Sequence, residues 1–367
     1  MEPLKNYFNK STITQISDEI KKHYLKFDGP AFVKETLKEM KDQELKGRVK
    51  VVSAALKKFL PQDFSSSSKI LIKTLRSQNK NDQGLSGFSV WPLTHFISDY
   101  GLDHFDESLN ALKLMTVDFT SEFAIRGFII KDHKRCFKYF DLWIKDESEH
   151  VRRLVSEGTR PLLPWGEKIV LFEKDPTLTW KYLDTLRLDS SAYVQKSVSN
   201  HLNDHSKNHV DFVLKQLGIW KKKHPKNENV QWMIRHASRT LIKKGELGAF
   251  ALFGIDHEHI EIKNAQLLKK KIKVGQTIEV KIKIYNSSDK NELIIVDSEL
   301  SLLRANNKHN VKCFKGKKII LGPKEETVVE LKIPIKEVTT RKYYPGLHYW
   351  NPVVNGRRGE RVKFILE

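Results

Sequence analysis

The sequence predicts a mainly α protein, an α-solenoid of stacked helical pairs, that ends in a small all-β sandwich. Three observations carry this. First, the segment Glu149–Trp165 (EHVRRLVSEGTRPLLPW) is echoed by Tyr193–His201 (YVQKSVSNH) and Asn229–Ala237 (NVQWMIRHA), with the equivalent valines Val151, Val194 and Val230 separated by 43 and 36 residues. Helical-hairpin repeats of the HEAT and armadillo type have periods of roughly 34–47 residues. Second, apolar residues recur at helical spacing up to about residue 250, and no earlier segment alternates with period two. Third, β-branched residues and turn clusters take over after Gly254.

Each element follows in order. Phe32, Leu37 and Met40, then Val49, Val52, Ala55 and Leu56, have the spacing of helix faces. Asp28-Gly29-Pro30, Leu60-Pro61, Gly84 to Gly87, Gly101, Gly158 to Pro161, Pro164 and Pro225 stop those helices. The most regular repeats fall between about Phe119 and Lys244. There, Val151, Leu154 and Val155 form the buried stripe of one helix, and Gly158 is expected to cap its end. Strands are expected at Gln276–Ile284, Leu293–Leu303, Cys313–Leu321, Thr327–Ile335, His348–Val354 and Arg361–Leu366. Asn286–Lys290, Asn306–Asn310 and Gly322–Lys324 supply the turns. About seven short strands in this span read as an immunoglobulin-like sandwich. The expected domains are 1–254, helical repeats, and 258–367, the β-sandwich.

Charge points to the partner. The 367 residues carry 65 Lys+Arg against 45 Asp+Glu, a net +20, and a basic protein is drawn to polyanions. From Glu258 onward there are 23 Lys+Arg and 13 Asp+Glu, half the excess in under a third of the chain. The β domain is therefore expected to be a second handle on a polyanion. Cys136 and Cys313 lie far apart and suggest neither a metal site nor a disulfide framework. With no signal-peptide core and no apolar run of the roughly 18 residues a membrane span needs, a cytoplasmic protein is expected. P-loop, GxGxxG, GxSxG, CxxC and HExxH patterns are absent. His201, His205 and His209 are spaced by fours without organised carboxylates, so no metal is expected.

The repeat helices carry the candidate chemistry. Arg153 and Glu157 share one flank of the Val151 helix, and Arg152 and Ser156 share another. Glu157 falls in the last turn, where the helix dipole disfavours a negative charge by a few tenths to ~1 kcal/mol. The order Arg153 then Glu157 is also the weaker i, i+4 orientation. A carboxylate placed against local preference invites a functional reading; it also reads as an exposed acid neutralised by Arg153 or Arg160. Glu122 lies 35 residues earlier, about one repeat. Packed helices are roughly 8–10 Å apart, so these two acids can converge. Thr120-Ser121-Glu122 also reads as a helix start with Ser121 as its cap. Trp165, after Pro164, offers an aromatic face to a sugar, base or cation, or fills core. Arg152, Arg153 and Arg160 suit phosphates. Asn203 and Asp204 fall at the end of the next helix, where capping roles compete.

Several segments carry a resemblance: LKNYF at Leu4–Phe8, ELKGR at Glu44–Arg48, YGLDHFD at Tyr100–Asp106, SEFAIR at Ser121–Arg126, HVRRLVSEGTRPLLPWG at His150–Gly166 and AYVQKSVSNHLND at Ala192–Asp204. Through most of residues 1–250 the chain resembles the AlkC branch of bacterial alkylpurine DNA glycosylases, HEAT-like repeat proteins of which some carry an immunoglobulin-like domain. The resemblance implies excision of cationic N-alkylated bases, 3-methyladenine and 3-methylcytosine, from duplex DNA. It implies base excision repair on a concave surface without a deep base pocket, by a monomer acting on DNA at the nucleoid with no metal or redox cofactor. It makes Glu122, Glu157 and Trp165 the active-site candidates, flanked by Arg153 and Arg160. Arg152, Lys196, Asn203 and Asp204 are further DNA-binding candidates, with Arg357 and Arg358 in the VVNGRRGE turn. One departure is YVQKSV, where Gln195 and Lys196 replace an arginine-rich version. The competing reading is a non-catalytic nucleic-acid-binding HEAT-repeat protein.

Overall fold

The computed structural model describes residues 3–79, 83–255, 257–337 and 342–367. They divide into two compact units, Met1–Asn208 with Lys226–His236, and His209–Pro225 with Ala237–Glu367. No helix among the described residues is long and apolar enough to cross a membrane.

The first unit is a stack of helices. Local sequence sets their starts. Asn9, Asp28 and Asp63 accept backbone N–H groups at the heads of Lys10–His23, Gly29–Glu39 and Phe64–Lys73, and Ser191 does the same for Ala192–His205. Each such cap contributes about 0.5–2 kcal/mol. Packing then pairs them: Lys10–His23 lies on Gly29–Glu39, and Leu45–Phe59 on Trp91–Tyr100. Helix Glu149–Gly158 packs against Phe105–Asp118, Ile125–Trp143 and Ala192–His205. One apolar core runs from Phe8 to Tyr182. Val151, Val194 and Val230 are all buried, as are Leu154 and Val155, so the stripe read from the sequence is the core face. Full burial of each such side chain contributes about 1.5–3 kcal/mol.

Two local expectations differ from what is observed. Gly158 is the last helical residue and Thr159 follows as the cap residue. Glycine is needed there for space, since a Cβ would sit 2.8 Å from Cγ2 of Ile125. Ser121 does not cap a helix either. Its hydroxyl donates to the carbonyl of Leu112 at 2.9 Å, and the helix Ile125–Trp143 begins later. The turn carrying Glu122 is thereby pinned to the preceding helix.

The second unit combines helices, including Val210–Lys223 and Leu247–Leu252, with nine described strands. These are β1 (Ile260–Leu267), β2 (Lys271–Ile272), β3 (Thr277–Asn286), β4 (Glu292–Leu303), β5 (His309–Leu321), β6 (Glu326–Pro334), β7 (Gly346–Val354), β8 (Arg357–Arg358) and β9 (Val362–Leu366). One sheet has the order β1-β3-β6; the other runs β2-β9-β7-β4-β5, with β8 on β7. All pairings are antiparallel except β2 with β9. Strand β3 shows why the sequence reads as sheet. Ile278, Val280, Ile282 and Ile284 are buried while the residues between them are more exposed. Trp350 is fully buried in the core, its Nε1–H donating to Oγ of Ser298 at 3.0 Å. β1 was not anticipated because a register shift between Ile262 and Asn264 breaks its alternation.

Candidate active site

Three stretches of the first unit bring the candidate residues together. Glu122 sits in the turn before Ile125–Trp143, Glu157 in the last turn of Glu149–Gly158, and Ser197 and Asp204 on Ala192–His205. Arg153 joins the two glutamates. Its Nη1 is 2.8 Å from Oε2 of Glu122 and its Nη2 is 3.7 Å from Oε1 of Glu157. One guanidinium therefore spans both carboxylates. The pairing continues: Nη1 of Arg160 donates to Oε1 of Glu157 at 2.6 Å, and its Nε to Oδ2 of Asp204 at 2.9 Å. Nζ of Lys207 lies 3.2 Å from the other oxygen of Asp204. The result is an alternating row of acids and bases.

Burial raises the stakes of that alternation. Glu122, Glu157, Arg160 and Asp204 are all buried. Removing one member of such a buried pair costs about 3–5 kcal/mol, because its partner is left charged and dry. Burial alone would lower the pKa of Arg160, but Asp204 and Glu157 outweigh it and the net shift is upward. Thr120 adds a relay: its hydroxyl donates to Oε2 of Glu122 at 2.8 Å and accepts from Arg153 at 3.1 Å.

Trp165 is presented differently. It is 60% exposed, and its φ of 64° lies in the left-handed region that costs a non-glycine residue roughly 1–2 kcal/mol. The surrounding structure imposes this. The backbone carbonyl of Trp165 accepts from Nζ of Lys46. Buried Arg126 donates to the carbonyls of Gly158, at 3.0 Å, and Glu167. That single guanidinium ties the end of the Glu157 helix to the loop carrying Trp165. Burial, reinforced by nearby Arg160, pushes the Arg126 pKa down to about 10.

The remaining candidates fall in varied settings. Arg152 forms a two-pronged pair with Asp189, at 2.6 and 3.0 Å, and donates to the carbonyls of Asp146 and Glu147. The donors of Arg152, Arg153 and Arg160, expected to meet phosphates, thus engage carboxylates and carbonyls of the chain itself. Lys196 is exposed on its helix, whereas Asn203 is buried near the helix end. Arg357 is exposed and donates to the carbonyl of His257. Arg358 pairs with Glu299 at 2.8 Å. Both line a cavity of about 690 Å³ with Glu261, Lys263 and Glu360. Cys136 is buried, and burial lifts its thiol pKa to about 12.

Sequence reasoning missed four contributors: Arg126, Thr120, Tyr193 and Ser197. The Tyr193 ring lies under the Arg153 guanidinium, 4.5 Å from it, and its pKa is raised chiefly by burial, with Arg153 opposing. Ser197 donates to Oε2 of Glu157 at 2.6 Å. A signal was present, since Ser197 occupies the repeat position of Leu154, where an apolar residue belongs.

Residues 47–241 match the family model described as DNA alkylation repair enzyme. Residues 261–367 match the model described as the C-terminal Ig-like domain of the uncharacterised protein YhaZ. YhaZ of Bacillus subtilis (strain 168) is 34% identical, with 99% of each chain covered. Among solved structures, the Pseudomonas fluorescens alkylpurine DNA glycosylase AlkC, bound to DNA containing an abasic site analog, is 33% identical with a TM-score of 0.86, and 100% of both chains is covered.

Proposed function

The chain belongs to the DNA alkylation repair enzyme family, and we propose from that premise that it is an alkylbase DNA glycosylase. Its substrates are cationic N-alkylated bases in duplex DNA, 3-methyladenine and 3-methylcytosine, and its reaction is hydrolysis of the N-glycosidic bond in base excision repair. The observation that carries this reading is a buried pair of glutamates on one guanidinium, tied through Arg126 to an exposed tryptophan held in left-handed backbone.

The chemistry follows from charge. An alkylated base is already cationic, so it leaves neutral with the bonding pair and needs no protonation. As the C1′–N bond breaks, positive charge builds on the deoxyribose. Glu122 and Glu157 stabilise that charge, and one of them takes the proton of the water whose oxygen bonds C1′. Trp165 lays its face against the deoxyribose or the cationic lesion. The lesion is attacked on a concave HEAT-like repeat surface rather than in a deep pocket, which favours cationic lesions over stable neutral ones. Bending the duplex to expose the sugar costs of order 1–6 kcal/mol. The basic β unit, with Arg357 and Arg358, helps offset that cost by gripping DNA. The AlkC structure bound to DNA supports the choice of partner, as does the net charge of +20. The protein acts as a monomer in the cytoplasm, at the nucleoid.

Chromatographic analysis of free base released from a panel of methylated duplex DNAs tests this. Release of 3-methyladenine or 3-methylcytosine is expected. DNA binding with no release from any cationic lesion would leave a non-catalytic binding protein instead.

A further inference from the structure

The two glutamates are held in unlike ways. Both oxygens of Glu157 are engaged: Oε1 by Arg160 at 2.6 Å, with Arg153 at 3.7 Å, and Oε2 by the Ser197 hydroxyl at 2.6 Å. Ser197 is itself buried and lies 3.0 Å from the hydroxyl of buried Ser156. Its one proton goes to the carboxylate, the stronger and closer acceptor, so Ser156 donates to Ser197. Glu157 is therefore braced from two sides, with each of its oxygens already holding a charged or hydroxyl donor.

Glu122 is held by one oxygen. Its Oε2 takes both Arg153, at 2.8 Å, and the Thr120 hydroxyl, at 2.8 Å. Among the described residues, Oε1 has no hydrogen-bond partner, and it is not among the sealed unpaired atoms. A carboxylate anchored through one oxygen and open at the other is the geometry of a base. One locked through both is the geometry of a fixed counter-charge.

We propose a division of labour: Glu122 accepts the proton of the attacking water at Oε1, Glu157 is the immobile anion facing the developing sugar cation, and Ser197 is the positioning residue that fixes Glu157. The step balances. Water oxygen bonds C1′, its proton passes to Glu122, the C1′–N bond breaks, and its electron pair leaves with the base, which departs neutral. This assignment rests on the glycosylase reading.

The experiment is chemical rescue under single-turnover conditions on duplex DNA containing 3-methylcytosine. General-base loss typically costs about 10²–10⁴-fold, so Glu122→Ala is expected to fall by that order and to regain at least about tenfold in added formate, a small carboxylate that replaces the missing one. Glu157→Ala is expected to fall and not to respond, and Glu157→Gln, which keeps the volume and one accepting oxygen but not the charge, behaves alike if the alanine variant is poorly folded. Ser197→Ala loses about tenfold in rate without change in DNA affinity and without formate response, while Ser197→Thr, which restores the hydroxyl, recovers. Rescue of Glu157→Ala, no rescue of Glu122→Ala, or an unimpaired Ser197→Ala overturns the assignment while leaving the glycosylase reading intact. A wild-type protein inert on every cationic lesion removes that reading itself.

Discussion

Replacing Arg126 by methionine separates stability from catalysis. Arg126 is 1% exposed, and its pKa near 10 against an ordinary 12.5 means that holding its charge inside costs about 3 kcal/mol, at 1.36 kcal/mol per unit. Its Nη2 is also buried without a partner. Against this stand two hydrogen bonds from a charged donor, to the carbonyls of Gly158 and Glu167, each contributing about 1.5–3 kcal/mol. The terms nearly cancel, so Arg126→Met is expected to lose only about 0–3 kcal/mol of global stability. The local effect is larger. Without that guanidinium the Trp165 loop is no longer tied to the Glu157 helix, and the left-handed backbone at Trp165 is free to relax. A displacement near 1 Å costs about 10²-fold in rate. The assay combines urea unfolding, DNA titration and single-turnover base release. Release should fall about 10–100-fold with affinity within about threefold. Unchanged release in a folded variant, or a loss explained wholly by the unfolded fraction, would refute the reasoning.

Three further outcomes follow from the same geometry. Trp165→Gly removes an exposed ring and the strain of a Cβ at φ 64°, so unfolding stability should hold or rise by up to about 1 kcal/mol while base release falls at least tenfold. Gly158→Ala puts a Cβ 2.8 Å from Ile125; the gain in helix propensity is outweighed and urea unfolding should show a loss of about 1–3 kcal/mol. Burial, reinforced by His205, holds the His201 pKa well below its ordinary 6.5. Its contribution is fully present above pH 6.5 and is lost as pH falls below that value, at up to about 1.4 kcal/mol per unit. Denaturant midpoints measured from pH 7.5 to 5 should therefore decline, and His201→Gln should flatten the slope.

What was legible in the sequence was what local periodicity encodes. Val151, Leu154 and Val155 announced a core face by spacing alone, and Ile278 to Ile284 announced a strand by alternation. Glu157 stood out because it opposes the helix dipole, and the structure shows the compensation, Arg160 and Arg153 on the same acid. Beyond the convergence of Glu122 and Glu157, which the repeat spacing suggested, side-chain pairings across repeats were not legible. Nothing local pairs Arg152 with Asp189, 37 residues on, and that ion pair turns an expected phosphate ligand inward. Arg126 looked like an ordinary helical arginine because its acceptors, the carbonyls of Gly158 and Glu167, are backbone atoms and leave no trace in composition. Gly158 was legible as a stop but not as a clearance, because Ile125 approaches it from another helix. β1 escaped because a bulge resets its alternation midway.

The most direct measurement of the central claim is single-turnover release of base from methylated duplex DNA by the wild type and by Glu122→Gln and Glu157→Gln, set beside DNA affinity for each. The expected result is release by the wild type, a fall of about 10²-fold or more in each variant, and affinities within a few-fold of one another. Release that survives in both variants, or release and affinity that fall together, would contradict a catalytic centre built on the two glutamates joined by Arg153.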